Sequence, residues 1–366
     1  MSDRWFIRPF QPDDLRAVAN LYERLIRSGQ SHAPAGLVAA FRALFVDAPV
    51  TSADIPCLVI DSAEGIGGFQ GVQVRSVSNV GPVASLGPLF VEPALRAQAA
   101  GVRLMKAMLD GPQTLSYSDG ASEEARRLWE RIGGHCSDVL SLEWTIPLQP
   151  GATQIDRLRH RAGRALRLTA AALKPLASTI DPLLAGRWRR KLNLGGGRGL
   201  SVATLTPDAW IAFAQGLHTG SRFAPDRSPE LLRWTLEHMT ALTARGRLLC
   251  LSIERSGRPL GAMLAYHLPD NTFMIMHADR DIRHGSAVMS AIVGYALDLG
   301  CKSIYGRCDG TAQGFLGDYP VMYRRSTPVL VHGRRADLVD RFCGIQSRFS
   351  RIDSEWLMNL REQVYA

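Results

Sequence analysis

One order of elements is written twice in this chain, and that repetition constrains the fold more than any other feature of its 366 residues. The first half opens with a strand at Trp5–Arg8. Pro12-Asp13-Asp14 then starts a helix carrying Leu15, Val18, Leu21, Tyr22 and Leu25 at helical spacing. A second helix is expected over Pro34–Phe45, then strands at Ile55–Asp61, Gly67–Ser76 and Ala84–Val91. A turn and helix follow, then a strand at Thr114–Tyr117 and a helix at Ser122–Ile132 that Gly133-Gly134 stops. Asp138–Ile146 reads as the closing strand of this half. The second half repeats the order from Leu200–Leu205 to a last strand at Val321–Val331, with helices at Pro207–Leu217, Pro229–Ala244 and Ser286–Leu299. Asp119-Gly120-Ala121 and Asp309-Gly310-Thr311 each follow the short strand, and Arg96 and Arg283 hold equivalent turn positions. The pattern predicts an α/β (α+β) chain of two tandem domains, each built of the same succession of strands and helices. The expected boundaries are 1–150, a basic connecting segment 151–199, a second domain 200–335 and a helical tail 336–366.

Composition limits the function classes. The chain is 46% hydrophobic and 21% charged, the balance of a globular protein. Its opening residues lack the apolar block of a signal peptide, and the apolar pattern at Ala287–Leu299 is too short to span a bilayer. A cytoplasmic protein is expected, or one held peripherally at the inner face of the membrane. The six cysteines show no metal-ligand spacing, so no metal is expected and the thiols read as reduced. The formal charge of +9 is concentrated in one place: 151–200 holds eleven Lys and Arg against two Asp. Ile155, Leu158, Ala162, Leu166, Thr169 and Leu173 share one helical face there, with arginines on the others. This suits a bridging helix with a solvated basic face, or an anionic membrane surface as partner. Nucleic acid is disfavoured, since no aromatic interleaving accompanies the charge.

The chemistry-bearing stretch is Val91–Met105. A strand runs through Glu92-Pro93 into small residues and then a helix, which sets unpaired backbone amides and a positive dipole end at one point. Ala97, Ala99, Ala100 and Gly101 let a phosphate approach closely.

With the repeat in view, residues 5–146 resemble a GNAT (N-acyltransferase superfamily) domain. The carriers are I-R-P-F-Q-P-D-D-L-R-A-V at 7–18, Val91-Glu92-Pro93 with Arg96-Ala97-Gln98-Ala99-Ala100-Gly101, and S-D-G-A-S-E-E-A-R-R-L-W-E-R-I-G-G at 118–134. Residues 200–333 resemble a more remote copy, of the Fem-type and polysaccharide-associated kind. The resemblance implies that each domain is a mixed, mostly antiparallel central sheet flanked by helices, with an acetyl-CoA or other acyl-CoA co-substrate and a small-molecule amine acceptor, and without a metal. The pantetheine would lie between the splayed fourth and fifth strands, and the amides of Ala97, Gln98, Ala99, Ala100, Gly101 and Val102 would hold the pyrophosphate beside Arg96. A backbone N–H at Leu89, Phe90 or Val91 would polarise the thioester. Candidate catalytic groups are Glu92 and Asp119 in the first copy, and His277, Asp309 and Tyr305 in the second. Two departures stand out: Ala99 replaces a loop glycine, and Trp129 falls where the family carries a tyrosine acid. Two rivals to N-acyl transfer follow: a GNAT pair kept for binding or regulation, and a Fem-like aminoacyl or polysaccharide/lipid-modifying transferase working from the second domain.

Overall fold

A computed structural model describes residues 5–151, 153, 186–217, 223–280, 282–309, 312, 316–344, 347–354 and 360. In chain order the described elements are β1 (Phe6–Pro9), α1 (Leu15–Tyr22), α2 (Ala35–Phe45), β2 (Leu58–Ser62), β3 (Gly65–Val77) and β4 (Gly81–Val91). Next come the single turn α3 (Pro93–Arg96), α4 (Ala100–Leu109), β5 (Leu115–Ser118), α5 (Glu123–Arg131), β6 (His135–Ser137) and β7 (Leu142–Pro147). The second series is β8 (Ser201–Thr204), α6 (Pro207–Gln215), α7 (Pro229–Ala241), β9 (Arg247–Arg255), β10 (Arg258–His267), β11 (Thr272–Arg280) and α8 (Gly285–Asp298). It ends with β12 (Ser303–Arg307), β13 (Met322–Arg325), β14 (Val329–Gly333) and α9 (Ala336–Cys343).

Two seven-stranded sheets result, ordered β1-β2-β3-β4-β5-β14-β6 and β8-β9-β10-β11-β12-β7-β13. Both are antiparallel except at one place each, β4 with β5 and β11 with β12. The duplication is therefore real in three dimensions, with one change. The strand read as closing the first half, β7, lies in the second sheet between β12 and β13. Its counterpart β14 lies in the first sheet between β5 and β6. Each half lends the other its sixth strand.

The compact units follow the sheets and not the expected boundaries. One comprises Met1–Ser141, Arg222–Thr235 and Thr327–Ala366; the other comprises Leu142–Ser221 and Leu236–Ser326. The division at 150 and 335 assumed that a strand stays with the strands before it. Local spacing carries no information about partners that arrive later in the chain.

The first unit is filled by aromatic packing: Tyr22, Phe41, Phe69 and Phe90 are buried together, with ring centroids 5.3–6.1 Å apart. Trp129, on α5, is buried in this core, so its position is one of packing. The second unit centres on Trp144 of β7 with the apolar faces of β9, β10 and α8. Cys301 and Cys308 are part of that core, where burial pushes their thiols up to about 11 and about 12. Most of the basic segment 151–199, including the expected apolar helical stripe, lies outside the described residues. Its described end belongs to the second unit, where Trp188 packs on the core and donates its indole N–H to the Pro147 carbonyl at 2.8 Å. Among the described residues no helix is long and apolar enough to cross a membrane.

Candidate active site

In the first unit β4 and β5 pair only from Val83↔Leu115 to Ser85↔Tyr117. Beyond Ser85, β4 continues to Val91 while β5 ends at Ser118, so the two strands part and a fork opens. A bulge fixes the point of divergence. Gln70 stands opposite Leu89 and Val72 opposite Leu86, so Gly87 and Pro88 face Gly71 alone. The buried Gln70 amide braces this kink by donating to the carbonyls of Gly71 and Gly87, both at 3.0 Å. Gly71 is required there, because a Cβ would stand 2.7 Å from the Phe45 ring and 3.1 Å from Pro88 Cδ. Gln70 was absent from the sequence reading, although a glutamine inside an apolar strand is a signal of buried polar work.

The amide of Glu92 donates to Gly67 on the β3 side. Strand alternation then turns the N–H and C=O groups of Leu89 and Val91 to the fork side. Phe90 faces β3 with its backbone and buries its ring. The candidate oxyanion donors thus narrow to Leu89 and Val91.

The loop after β4 keeps the expected geometry with different chemistry. Ala99 adopts φ 55°, ψ 25°, the left-handed conformation that suits glycine. The amides of Ala97, Gln98 and Ala99 close turns onto Leu95, Leu95 and Arg96. Arg103 is the first residue of α4 to bond back, to Ala99 at 3.0 Å. The amides of Ala100, Gly101 and Val102 therefore form the first turn of α4, without intrahelical acceptors and without a side-chain cap at Ala99. An anion here would use 100–102, not the whole run from 97. Arg96 curls back, its Nε 2.9 Å from the Val91 carbonyl on the fork edge. Trp5 steadies the loop from outside, donating to Gln98 Oε1 at 2.6 Å under the Arg103 guanidinium, 4.4 Å from its ring.

Both candidate bases of this unit are committed elsewhere. Glu92 takes both terminal nitrogens of Arg24, the second at 3.1 Å, and the pair raises the affinity of Arg24 for its proton. Arg24 belongs to a wide turn, Glu23–Arg27, that continues α1, and no local pattern advertises a partner so far along the chain. Asp119 is buried, with its carboxylate accepting from Ser354 Oγ and its carbonyl from Thr327 Oγ1 at 3.1 Å. Asp119 thus anchors the chain after residue 327 and is not exposed to a cleft. Tyr117, at the point of the fork, donates to the Asp353 carbonyl at 3.1 Å. Burial pushes its phenol far above the ordinary value, which makes it a fixed donor and a poor proton source.

The second unit repeats the fork. β11 pairs with β12 only over Thr272–Met274, and a bulge at Met276 precedes the splayed arm. His277 lies on that arm, buried, with Nε2 2.9 Å from Asp279 Oδ2 and its ring edge-on to Trp210. Tyr305 lies opposite Met274, at the point where the pairing ends, and the Arg324 guanidinium is 5.9 Å from its ring. Asp309 accepts from the Ala312 amide at 3.1 Å, a turn-capping bond. His277 thus lies on the splayed arm of β11, and Tyr305 is the last residue of β12 to pair with that strand.

The two loops differ where it matters. A Cβ on Gly101 would meet only Val91, at 3.7 Å, so nothing within the protein demands that glycine. A Cβ on Gly285, at the start of α8, would meet Arg280 at 2.6 Å from Nε. The second glycine therefore makes room for the protein's own guanidinium, and the first leaves its helix end approachable.

The topology is decided by these features together: a bulged fourth strand, a parallel fifth strand that parts from it, and a helix start at the fork mouth. No protein-family model matches the chain, and no curated protein sequence does. Solved structures do match. A GCN5-related N-acetyltransferase from Kribbella flavida superposes at TM-score 0.53 with 12% identity, over 90% of this chain and 71% of that one. A GCN5-related N-acetyltransferase from Anabaena variabilis ATCC 29413 gives 0.55 and 12%, over 91% and 74%. The chain has the GNAT fold. A conserved protein of unknown function from Enterococcus faecalis V583 shares it, at TM-score 0.57 and 12% identity over 90% and 72%. At such identity the likeness speaks for the GNAT fold alone.

Proposed function

We propose that the chain is an acyl-CoA-dependent N-acyltransferase whose donor site is the fork of the first unit. The observation that carries this reading is the contrast between the loops: amides 100–102 stand open beside a glycine that packing does not require, while Arg280 crowds the first residue of the corresponding helix, α8, in the second unit. The pyrophosphate would sit on α4, with Arg96 and Arg103 as flanking cations. The pantetheine would run along the unpaired edge of β4 as an added strand. At the bulge the thioester carbonyl would accept from Leu89 or Val91, whose fixed dipoles favour the charge that grows on that oxygen. The amine lone pair then forms the C–N bond, the C–S bond breaks with its electrons on sulfur, and the ammonium proton leaves to solvent or to the thiolate. With Glu92 and Asp119 held in their pairs, positioning and the oxyanion donors carry the rate.

Calorimetric titration with acetyl-CoA tests the donor assignment. Saturable binding is expected, weakened about tenfold or more by Gly101→Asp, which brings a carboxylate onto the anion site. Absence of binding by acetyl-CoA and by longer acyl-CoA would defeat it. A second reading rests on the His277–Asp279 pair, which gives the second unit a polar group on its own splayed arm. Loss of turnover in His277→Ala, with Gly101→Asp neutral, would move the chemistry there.

A further inference from the structure

Two polar side chains of the first unit, neither used above, share one face of β3. Gln73 is fully buried and Arg75 is 3% exposed. They alternate with Val72 and Val74, so both project to the same side of the sheet. Gln73 spends its amide nitrogen on the Leu44 carbonyl at 3.5 Å, and its Oε1 meets no hydrogen-bond partner. Arg75 Nε meets none either. One buried acceptor and one buried cationic donor thus stand two residues apart, about 7 Å along a strand.

Their place matters more than their number. In the sheet register Gln73 lies opposite Ser85 and Arg75 opposite Val83. Ser85 is the last residue of β4 to pair with β5, so Gln73 is one strand away from the point of the fork. Arg75 has a carboxylate in electrostatic range, Asp353, but that group is taken. Arg227 donates to both its oxygens at 3.3 and 2.8 Å, and the Ser350 amide and hydroxyl add bonds at 2.8 and 3.2 Å. Burial lowers the affinity of Arg75 for its proton, and Arg227, a second cation, lowers it a little more. A structural arginine would normally be given its own acceptor, since a buried charge without one is among the costliest features a fold can retain.

We infer that the Gln73–Arg75 face of β3 is an acceptor subsite for an amine that also carries an oxyanion, carboxylate or phosphate, with Arg75 holding the oxyanion and Gln73 Oε1 accepting an N–H of the amine. This rests on the reading that the thioester lies in the same fork, because the subsite would deliver the amine to Ser85 and the bulge. A planar guanidinium suits either oxyanion, and the unmet Oε1 suits a donor and not a second anion.

The test uses the full-length protein saturated with CoA and three probes built on one short amine: β-alanine, phosphoethanolamine and β-alaninamide. Calorimetry is expected to show the carboxylate or the phosphate binding at least tenfold tighter than the neutral amide, and which of the two leads identifies the oxyanion. Arg75→Met should erase the preference, and Arg75→Lys should keep part of it. A thermal melt supplies the independent arm. Without ligand, Arg75→Met is expected to raise the Tm by removing a buried cation whose Nε has no hydrogen-bond acceptor, and it should lose the Tm gain that the anionic probe gives the parent protein. Equal binding of the three probes, no measurable binding, a preference that survives Arg75→Met, or a lower Tm in that variant would each overturn the inference. Should CoA itself fail to bind, the donor reading falls alone, since the probe and melting experiments run equally without it.

Discussion

Ala99 holds a backbone conformation that costs an L-residue about 1–2 kcal/mol. Ala99 is the N-cap of α4, so this conformation sets the direction in which the helix starts. Ala99→Gly should therefore stabilise the protein by about 1 kcal/mol in denaturant titrations, without weakening acyl-CoA binding. Gly101 behaves in the opposite way. Gly101→Ala should leave stability equal or raise it by up to about 1 kcal/mol, as the space and helix propensity allow, while weakening the proposed acyl-CoA binding. A stability loss for either variant would mean the loop is shaped by packing alone. Asp14 illustrates a purely structural charge. Arg8 donates to its two oxygens at 2.7 and 2.8 Å, and that bond holds the Asp14 carboxyl below its usual range. A carboxylate with a lowered pKa contributes stability that is present above its unfolded value and lost as pH falls through the folded one. Asp14→Asn should accordingly flatten the loss of stability between about pH 5 and pH 2, read from urea midpoints.

At the scale of elements, β7 is held in the second sheet by side chains specific to that place. Arg324 lies opposite Glu143 and donates Nε to it at 2.7 Å, and the Trp144 indole reaches the Arg307 carbonyl at 2.9 Å. Gly306 makes the room, since a Cβ there would come within 2.8 Å of the indole. Trp144→Ala is expected to cost about 3–5 kcal/mol. Gly306→Ala should be costly alone and nearly neutral on the Trp144→Ala background, a coupling that a double-mutant cycle measures. Here the limits of sequence reading become physical. The strand read over Asp138–Ile146 was legible, although β7 takes only Leu142–Pro147, as were β3, β4 and the turn into α4, because period and turn chemistry are local. Its sheet was not legible, because partner choice depends on residues far along the chain. Arg24 on Glu92 and Ser354 on Asp119 stayed hidden for the same reason, and they change the roles of two carboxylates that looked catalytic. The fork itself was legible only through the resemblance to GNAT domains, since no residue pattern marks where two strands part.

For the whole molecule, the duplication and the exchange belong together. Both sheets have the same strand order, and in each the sixth strand comes from the other half. A fragment ending at 150 would carry β7 without its neighbours and would lack β14, leaving β5 and β6 with unpaired edges. Such a fragment should show no cooperative melt and should aggregate, whereas the full chain should unfold cooperatively. A soluble fragment with a sharp transition would show that the exchange is dispensable.

The place of β14 also sets a timetable for the ribosome. Synthesis runs from the first residue, so β1 to β6 emerge early, yet the strand that joins β5 to β6 emerges only after the whole second series. Until then the first sheet must wait with a gap in it, exposing strand edges while the second series is made. The nascent chain is therefore expected to depend on holding chaperones, and their depletion should lower the yield of folded protein.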